Sequence, residues 1–347
     1  MKNKKMIKRI IAAVIAVLIL ACVVFPIPYY VESPGATINL KELIKVDNQA
    51  DKQDGSFSLT SVGVRRATVL LAAIAQFRPF EEVISARELT GGSSDEEYNQ
   101  VQQYYMESSQ NAAIQQALSL AGKEYQLEYK GVYVLNIEKS SNFYGKIAVG
   151  DTITEADGQT FENTEDFMDY VKSQKVGQEM TITYTHDGKS KTVKEKLIEL
   201  PSDKKAGIGI TLTDHTEITS DYDVQFETEN IGGPSAGLMF TLEIYEQISG
   251  ENLRNGQKIA GTGTIDSEGT VGRIGGIDKK VASASADGAK IFFAPDDKIT
   301  KAMKKADPTI KTNYQEAKAA AKKLGTDMKI VPVKTVKDAL DYLAENK

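Results

Sequence analysis

The sequence has one cysteine, two histidines and no tryptophan in 347 residues. Each scarcity removes a class of chemistry. Cys22 lies within an apolar run, so the rest of the chain has no disulfide, no cysteine nucleophile and no thiolate metal site. Both histidines, His186 and His215, precede the serine motif at 233–237, so the Ser–acid–His order of the α/β-hydrolases cannot be written. No G-x-x-x-x-G-K-[ST] run occurs, which removes the usual phosphate-binding loop. Basic tracts are missing beyond the first nine residues and the net charge is −6, so nucleic acid is not expected as a partner. What remains is 41% hydrophobic and 26% charged, enough for two or three domains with their own cores.

The N-terminus opens with Lys2, Lys4, Lys5, Lys8 and Arg9 and carries no acid there. An unbroken apolar run follows from Ile10 to Phe25 and continues through Pro26 and Ile27. Some 18 residues at ~1.5 Å each give a helix of about 27 Å, just enough to cross a bilayer. The cations ahead of it predict a cytoplasmic tail at 1–9, an anchor at 10–27 and the remainder outside. Tyr29 and Tyr30 suit the outer interface. A cleaved signal peptide and lipidation at Cys22, after Ile19-Leu20-Ala21, are the alternatives. No small-x-small site follows the run directly, and apolar residues continue past Cys22, so the uncleaved anchor is the reading taken. Residues 10–347 carry 37 basic and 48 acidic side chains, an acidic exterior that weakly favours basic peptides.

Beyond the anchor, "GSFSLTSVGV" alternates as a half-buried strand, and its partners are expected after residue 200. "RRATVLLAAIAQF" reads as a helix of about three turns ending before Pro79. Residues 93–122 read as mostly helical, with a cap at Ser94, Glu97 three residues on, and Gly122 stopping the second half. Residues 123–200 change character. A strand, a glycine turn and a strand lead to a helix capped by Asn163, then to two alternating strands joined at Asp187-Gly188. His186 falls in that hairpin turn and His215 at a polar strand end, and both are read as solvated. After Pro201 strands and helices alternate, which argues for an α/β domain. The expected organisation is an α/β (α+β) core from 28–122 and 201–347, interrupted by a β-rich domain at 123–200.

Gly233-Pro234-Ser235-Ala236-Gly237 leads into an apolar run predicted to be helical from Ser235 to about Ile248. A serine set among small residues at a helix start can attack a carbonyl if a base lies nearby, and without histidine the base can be a lysine. That lysine must be neutral near pH 7. Lowering it from ~10.4 to near 7 costs roughly 4 kcal/mol, and burial supplies the penalty. "RIGGIDKKVASASADG" places Lys279 and Lys280 at the start of a small-residue helix, where one can face inward while the other stays wet. A purely structural role for the glycines remains open on these residues alone.

Two stretches resemble known families. Gly131-Val132-Tyr133-Val134, Gly150-Asp151-Thr152-Ile153 and Asp157-Gly158 resemble a PDZ domain of the bacterial protease-associated kind. The resemblance implies peptide binding at Gly131, Val132, Tyr133 and Val134, although Tyr133 stands where many members have a second glycine. "GGPSAG", "TGTIDSEGTVGRIGGIDKK" and "GAKIFFAP", over about residues 205–340, resemble the proteolytic domain of Lon-type serine proteases. With the anchor, the whole resembles the membrane-bound PDZ–Lon-like proteases of Gram-positive bacteria. "PYYVESPGA" at 28–36 fits that family as well.

By that resemblance Ser235 is the nucleophile and Lys280, third after Gly275-Gly276-Ile277, is its base. Thr262 supports the lysine, with Gly233, Pro234 and Ala236 shaping the loop, and Lys279 is the exposed neighbour. Many ATP-dependent relatives carry an acid three positions before the serine, where this chain has Gly232. No metal or cofactor is implied. The expected function is ATP-independent cleavage of extracytoplasmic peptides or unstructured protein segments, with homo-oligomers allowed. The alternative is a non-catalytic, membrane-tethered peptide binder or scaffold.

Overall fold

The computed structural model describes residues 2–229 and 231–346. An apolar helix, α1 (Lys2–Val24), is followed by β1 (Pro26–Asn39), β2 (Ser56–Thr68), α2 (Val69–Ala75), β3 (Glu82–Ser85) and the long α3 (Asp95–Leu120). Next come β4 (Tyr125–Ile137), β5 (Thr152–Ala156), α4 (Thr164–Ser173), β6 (Glu179–His186), β7 (Lys189–Lys196) and β8 (Ile210–Ser220). The C-terminal part holds α5 (Gly237–Ser249), β9 (Lys258–Gly261), α6 (Ile277–Ala286), β10 (Ile291–Pro295), α7 (Asn313–Leu324), β11 (Lys329–Val333) and α8 (Val336–Glu345).

A six-stranded sheet of order β11-β10-β9-β2-β1-β3 builds the first unit. Its three C-terminal strands run parallel, and β9 pairs parallel with β2, so strands separated by about 200 residues of chain lie side by side. Parallel pairing needs both faces covered. Helices α5 and α8 pack over Phe57, Leu59, Ile259 and Phe293 in one core, and α6 and α7 enclose Phe292, Val281 and Ala317 in another. The C-terminal end of α5 is held by a buried ion cluster: Arg254 contacts Asp51, Glu243 at 3.4 Å and Glu246 at 2.7 Å.

The second unit is a five-stranded antiparallel sheet of order β8-β4-β5-β6-β7 with α4 on one face. Its hairpin turns at Asp187 and Gly188, both left-handed, as the sequence predicts. Asn163 caps α4 by accepting the Asp166 N–H, and Ser94 and Glu97 form a reciprocal capping box on α3. The unit lies in the chain between the two halves of the larger sheet.

Several expectations shift. The helix α1 runs from Lys2 and stops at Val24, so the basic residues share it, while Pro26 and Ile27 open a strand. Arg65–Thr68 do not begin a helix; they finish β2, whose register with β1 carries through to Thr68 opposite Pro26. Tertiary pairing overrides local helix preference there. Tyr125–Ile137 is one continuous strand in which Gly131, at φ 137°, forms an irregularity rather than a turn. The β-rich unit also reaches past residue 200, because Ile210–Ser220 pairs along β4.

Candidate active site

Ser235 precedes α5 by two residues. The helix begins at Gly237 with Ala236 as an uncapped N-cap, not at Ser235 as the pattern suggested. The difference frees the serine hydroxyl from capping duty. Gly237 must be glycine for packing: a Cβ there would lie 2.7 Å from Ile265 Cγ2 and 3.0 Å from Ser109 Oγ. Its small size therefore serves the fold and not the substrate. The loop is pinned on both sides. Gly233 N–H donates to the Gln102 carbonyl at 2.8 Å, and the Ser235 carbonyl accepts from Gly263 N–H at 2.9 Å and from Thr262 Oγ1 at 3.0 Å.

Lys280 enters from α6. Gly276 caps that helix at φ 63°, and a Cβ there would lie 2.6 Å from Val62 Cγ2, so glycine alone fits the approach. The Lys280 side chain is 3% exposed. Its Nζ lies 2.6 Å from Ser235 Oγ and 3.1 Å from Thr262 Oγ1, and Thr262 is fully buried. No carboxylate pairs with it among the described residues. Burial unopposed by counter-charge pushes this amine down to about 7.

Its neighbour behaves in the opposite way. Lys279 is not wet but buried, with Nζ 2.9 Å from Glu82, 3.4 Å from Glu32 and 3.6 Å from Asp278. Burial draws its ammonium down, yet the Glu82 hydrogen bond and the charges of Asp278, Glu82 and Glu32 outweigh burial and leave it raised. Adjacent lysines a helical step apart thus have opposite protonation preferences, which sequence spacing could not assign.

A groove of about 1180 Å³ opens over Ser235 and Lys280, walled by Gln102 and Met106 of α3, the 231–236 loop and residues 273–276. Strand β9 ends at Gly261 opposite Leu59, so from Thr60 to Val64 β2 pairs only with β1. Its other edge lines the groove.

The residues expected to bind peptide in the β-rich unit do not form a receptive edge. Val132 and Tyr133 sit mid-sheet, facing Asp214 and Thr213 on one side and Ile153 and Thr152 on the other. Gly131 and Val134 share that strand, and its pairing leaves no free N–H row for a ligand. The Tyr133 ring is buried against Tyr104 of α3. The sheet's edges are β7 and β8, the latter entered through Gly207-Ile208-Gly209-Ile210. Side chains of α3 cover part of β8, with Tyr104 O–H on the Asp214 carbonyl and Asn111 Nδ2 2.8 Å from the Thr216 carbonyl. The histidines are likewise half-buried and not solvated. His215 Nδ1 lies 2.8 Å from Thr152 Oγ1, and His186 Nδ1 lies 2.6 Å from Asp151.

Comparison with known proteins agrees with these two units. Residues 116–197 match the PDZ domain family model, and residues 229–345 match that of the Lon protease (S16) C-terminal proteolytic domain. No curated protein matches the chain. Among solved structures, the PDZ domain of the SdrC-like protein from Listeria monocytogenes is 37% identical, covering 25% of this chain and 92% of that one, with a TM-score of 0.24. The corresponding domain from Listeria innocua is 39% identical over 24% of this chain and 96% of that one, with a TM-score of 0.24. A solution structure from Geobacillus thermodenitrificans is 29% identical over 24% and 95%, with a TM-score of 0.22. Residues 229–345 therefore belong with the Lon-type (S16) proteolytic domains and residues 116–197 with the PDZ domains.

Proposed function

We propose that the protein is an ATP-independent, membrane-anchored serine endopeptidase that uses a Ser235–Lys280 dyad on extracytoplasmic peptides or unstructured segments. One observation carries this reading: an enclosed, unpaired amine, with an affinity for protons lowered to about 7, stands 2.6 Å from a hydroxyl at the floor of a groove.

In this mechanism neutral Lys280 takes the Ser235 proton as Oγ attacks the scissile carbonyl, giving a tetrahedral intermediate. The resulting ammonium protonates the leaving amine, and the acyl-enzyme forms. Lys280, neutral again, activates water for deacylation. Thr262 Oγ1 holds the ammonium in place through its 3.1 Å contact. No hydrogen bond among the described residues engages the Ser235 or Ala236 N–H, and these groups are the natural donors to the oxyanion.

The free Thr60–Val64 edge of β2 supports extended peptide as substrate, since a chain laid there gains main-chain hydrogen bonds beside Ser235. The open edge of β8 supports a role for the PDZ domain in choosing substrate. The span Met6–Val24, with mean hydropathy 2.7 and none of it buried, supports the anchor, and Lys2, Lys4 and Lys5 before it, with Lys8 and Arg9 at its start, support an outward-facing catalytic domain.

The test is cleavage of a library of unstructured peptides without ATP, with product masses as the readout. Ser235→Ala and Lys280→Ala are each expected to lower kcat/KM by several orders of magnitude. Undiminished cleavage by Ser235→Ala overturns the dyad. Absence of any cleavage by the wild-type chain favours a membrane-tethered binder.

A further inference from the structure

The segment "VLLAAIA" that forms α2 has no polar residue. Its inner side, Leu71, Ala72 and Ala75, packs with Val31, Ala67, Ile27 and Val83. Its outer side is apolar as well: Val69 is 48% and Leu70 43% exposed, Ala73 is exposed, and Phe77 in the following turn is 90% exposed. At 100° per residue Val69, Leu70 and Ala73 fall on one side of the helix, and Phe77 follows in the next turn. A helix that is apolar all round belongs in a core or in lipid, and a contiguous exposed apolar patch marks a contact surface.

The register of the sheet says where this surface lies. Thr68, the last residue of β2 and the cap of α2, is paired with Pro26, two residues beyond the end of α1. Helices α1 and α2 touch. Phe25, 67% exposed, and the exposed Tyr29 lie at the same end of the domain. Arginines rim it: Arg65, Arg66 and Arg78 are exposed. Arg66 is paired with Asp95 and Arg78 with Glu81, while Arg65 meets no carboxylate among the described residues.

We infer that α2 and the Phe77 turn form a membrane-docking surface. Val69, Leu70 and Phe77 enter the boundary between headgroups and acyl chains, and the arginines lie at phosphate level. This inference rests on reading α1 as an anchor. The lipid surface is the occupant because the span itself ends beside α2. Docking would hold the groove at a set height. Val64, at its rim, lies four strand residues before Thr68, or about 13 Å at ~3.3 Å per residue.

The test uses the full chain in vesicles of phosphatidylcholine and phosphatidylglycerol. Two single-cysteine variants, both on Cys22→Ser, carry an environment-sensitive fluorophore: Phe77→Cys at the surface and Ile15→Cys in the span. Quencher groups are placed shallow or deep on the lipid chains. The expected result is deep quenching at position 15 and shallow quenching at position 77, with the latter reduced at least twofold by Leu70→Glu. Quenching at 15 without quenching at 77 overturns the docking alone. Loss of quenching at 15 overturns the anchor and the docking with it. A blue shift at 77 that appears in detergent and grows with protein concentration assigns the surface to a second copy of the chain and overturns the lipid assignment.

Discussion

The ring of Tyr104 lies flat on that of Tyr133, with centroids 3.8 Å apart and planes at 20°. One belongs to α3 and the other to β4, an interior strand of the PDZ sheet. The same helix accepts the Gly233 N–H at Gln102 and bonds the Pro234 carbonyl through Ser109 at 3.1 Å. A single helix therefore touches both the PDZ sheet and the loop that presents Ser235.

This stacking is expected to be energetically real. In a double-mutant cycle, Tyr104→Ala and Tyr133→Ala should be non-additive by about 0.5–1.5 kcal/mol in urea unfolding. Full additivity would show that the two rings contribute only separate burial.

The rate should report the protonation of Lys280. In the proposed dyad the amine is the base and is held near 7, so kcat/KM is expected to rise through about pH 7 and level off above pH 8. Thr262→Val removes a partner of the charged form, so the inflection should move down while the plateau falls about tenfold. Thr262→Ser should restore both. Lys280→Arg, which stays protonated, should be inactive throughout.

The same amine should set part of the stability. Unfolded, it holds its proton up to about 10.5; folded, it releases the proton above about 7. Between those values the unfolded state binds more protons, so stability rises with pH. At ~1.36 kcal/mol per pH unit, the wild type should gain about 2–3 kcal/mol from pH 7 to pH 9 relative to Lys280→Met. Parallel slopes for the two proteins in urea unfolding would contradict a desolvated, uncharged amine.

Lys279 should separate from its neighbour in every assay. Lys279→Met removes a cation from Glu82 and Glu32 and is expected to cost about 1–2 kcal/mol of stability, with kcat/KM kept within fivefold. Catalytic collapse in this variant with retention in Lys280→Met would reverse the assignment.

Much of this arrangement is legible before folding because it is local. Asn163, Ser94 and Thr335 cap helices as their side chains dictate, and Asp187-Gly188 turns its hairpin. The order of the glycine–serine and glycine–lysine motifs points to Ser235 and Lys280 together. What escapes depends on distant chain. Arg65–Thr68 becomes strand because Pro26 and Val31 lie opposite. The burial of Lys279 depends on Glu32 and Glu82, two strands away in the sheet. The interior position of Gly131–Val134 could not be read without knowing that β8 pairs along β4.

The strand after α1 starts at Pro26, and only Phe25 separates helix from sheet. That strand lies inside the catalytic sheet, hydrogen-bonded on both sides to β2 and β3. The domain consequently has no leash. Clipping the chain at residue 40 would not liberate an intact domain; it would remove the strand that joins β2 to β3. A version without α1 has to keep everything from Pro26 onward, and a cut between helix and sheet has only Phe25 as its target.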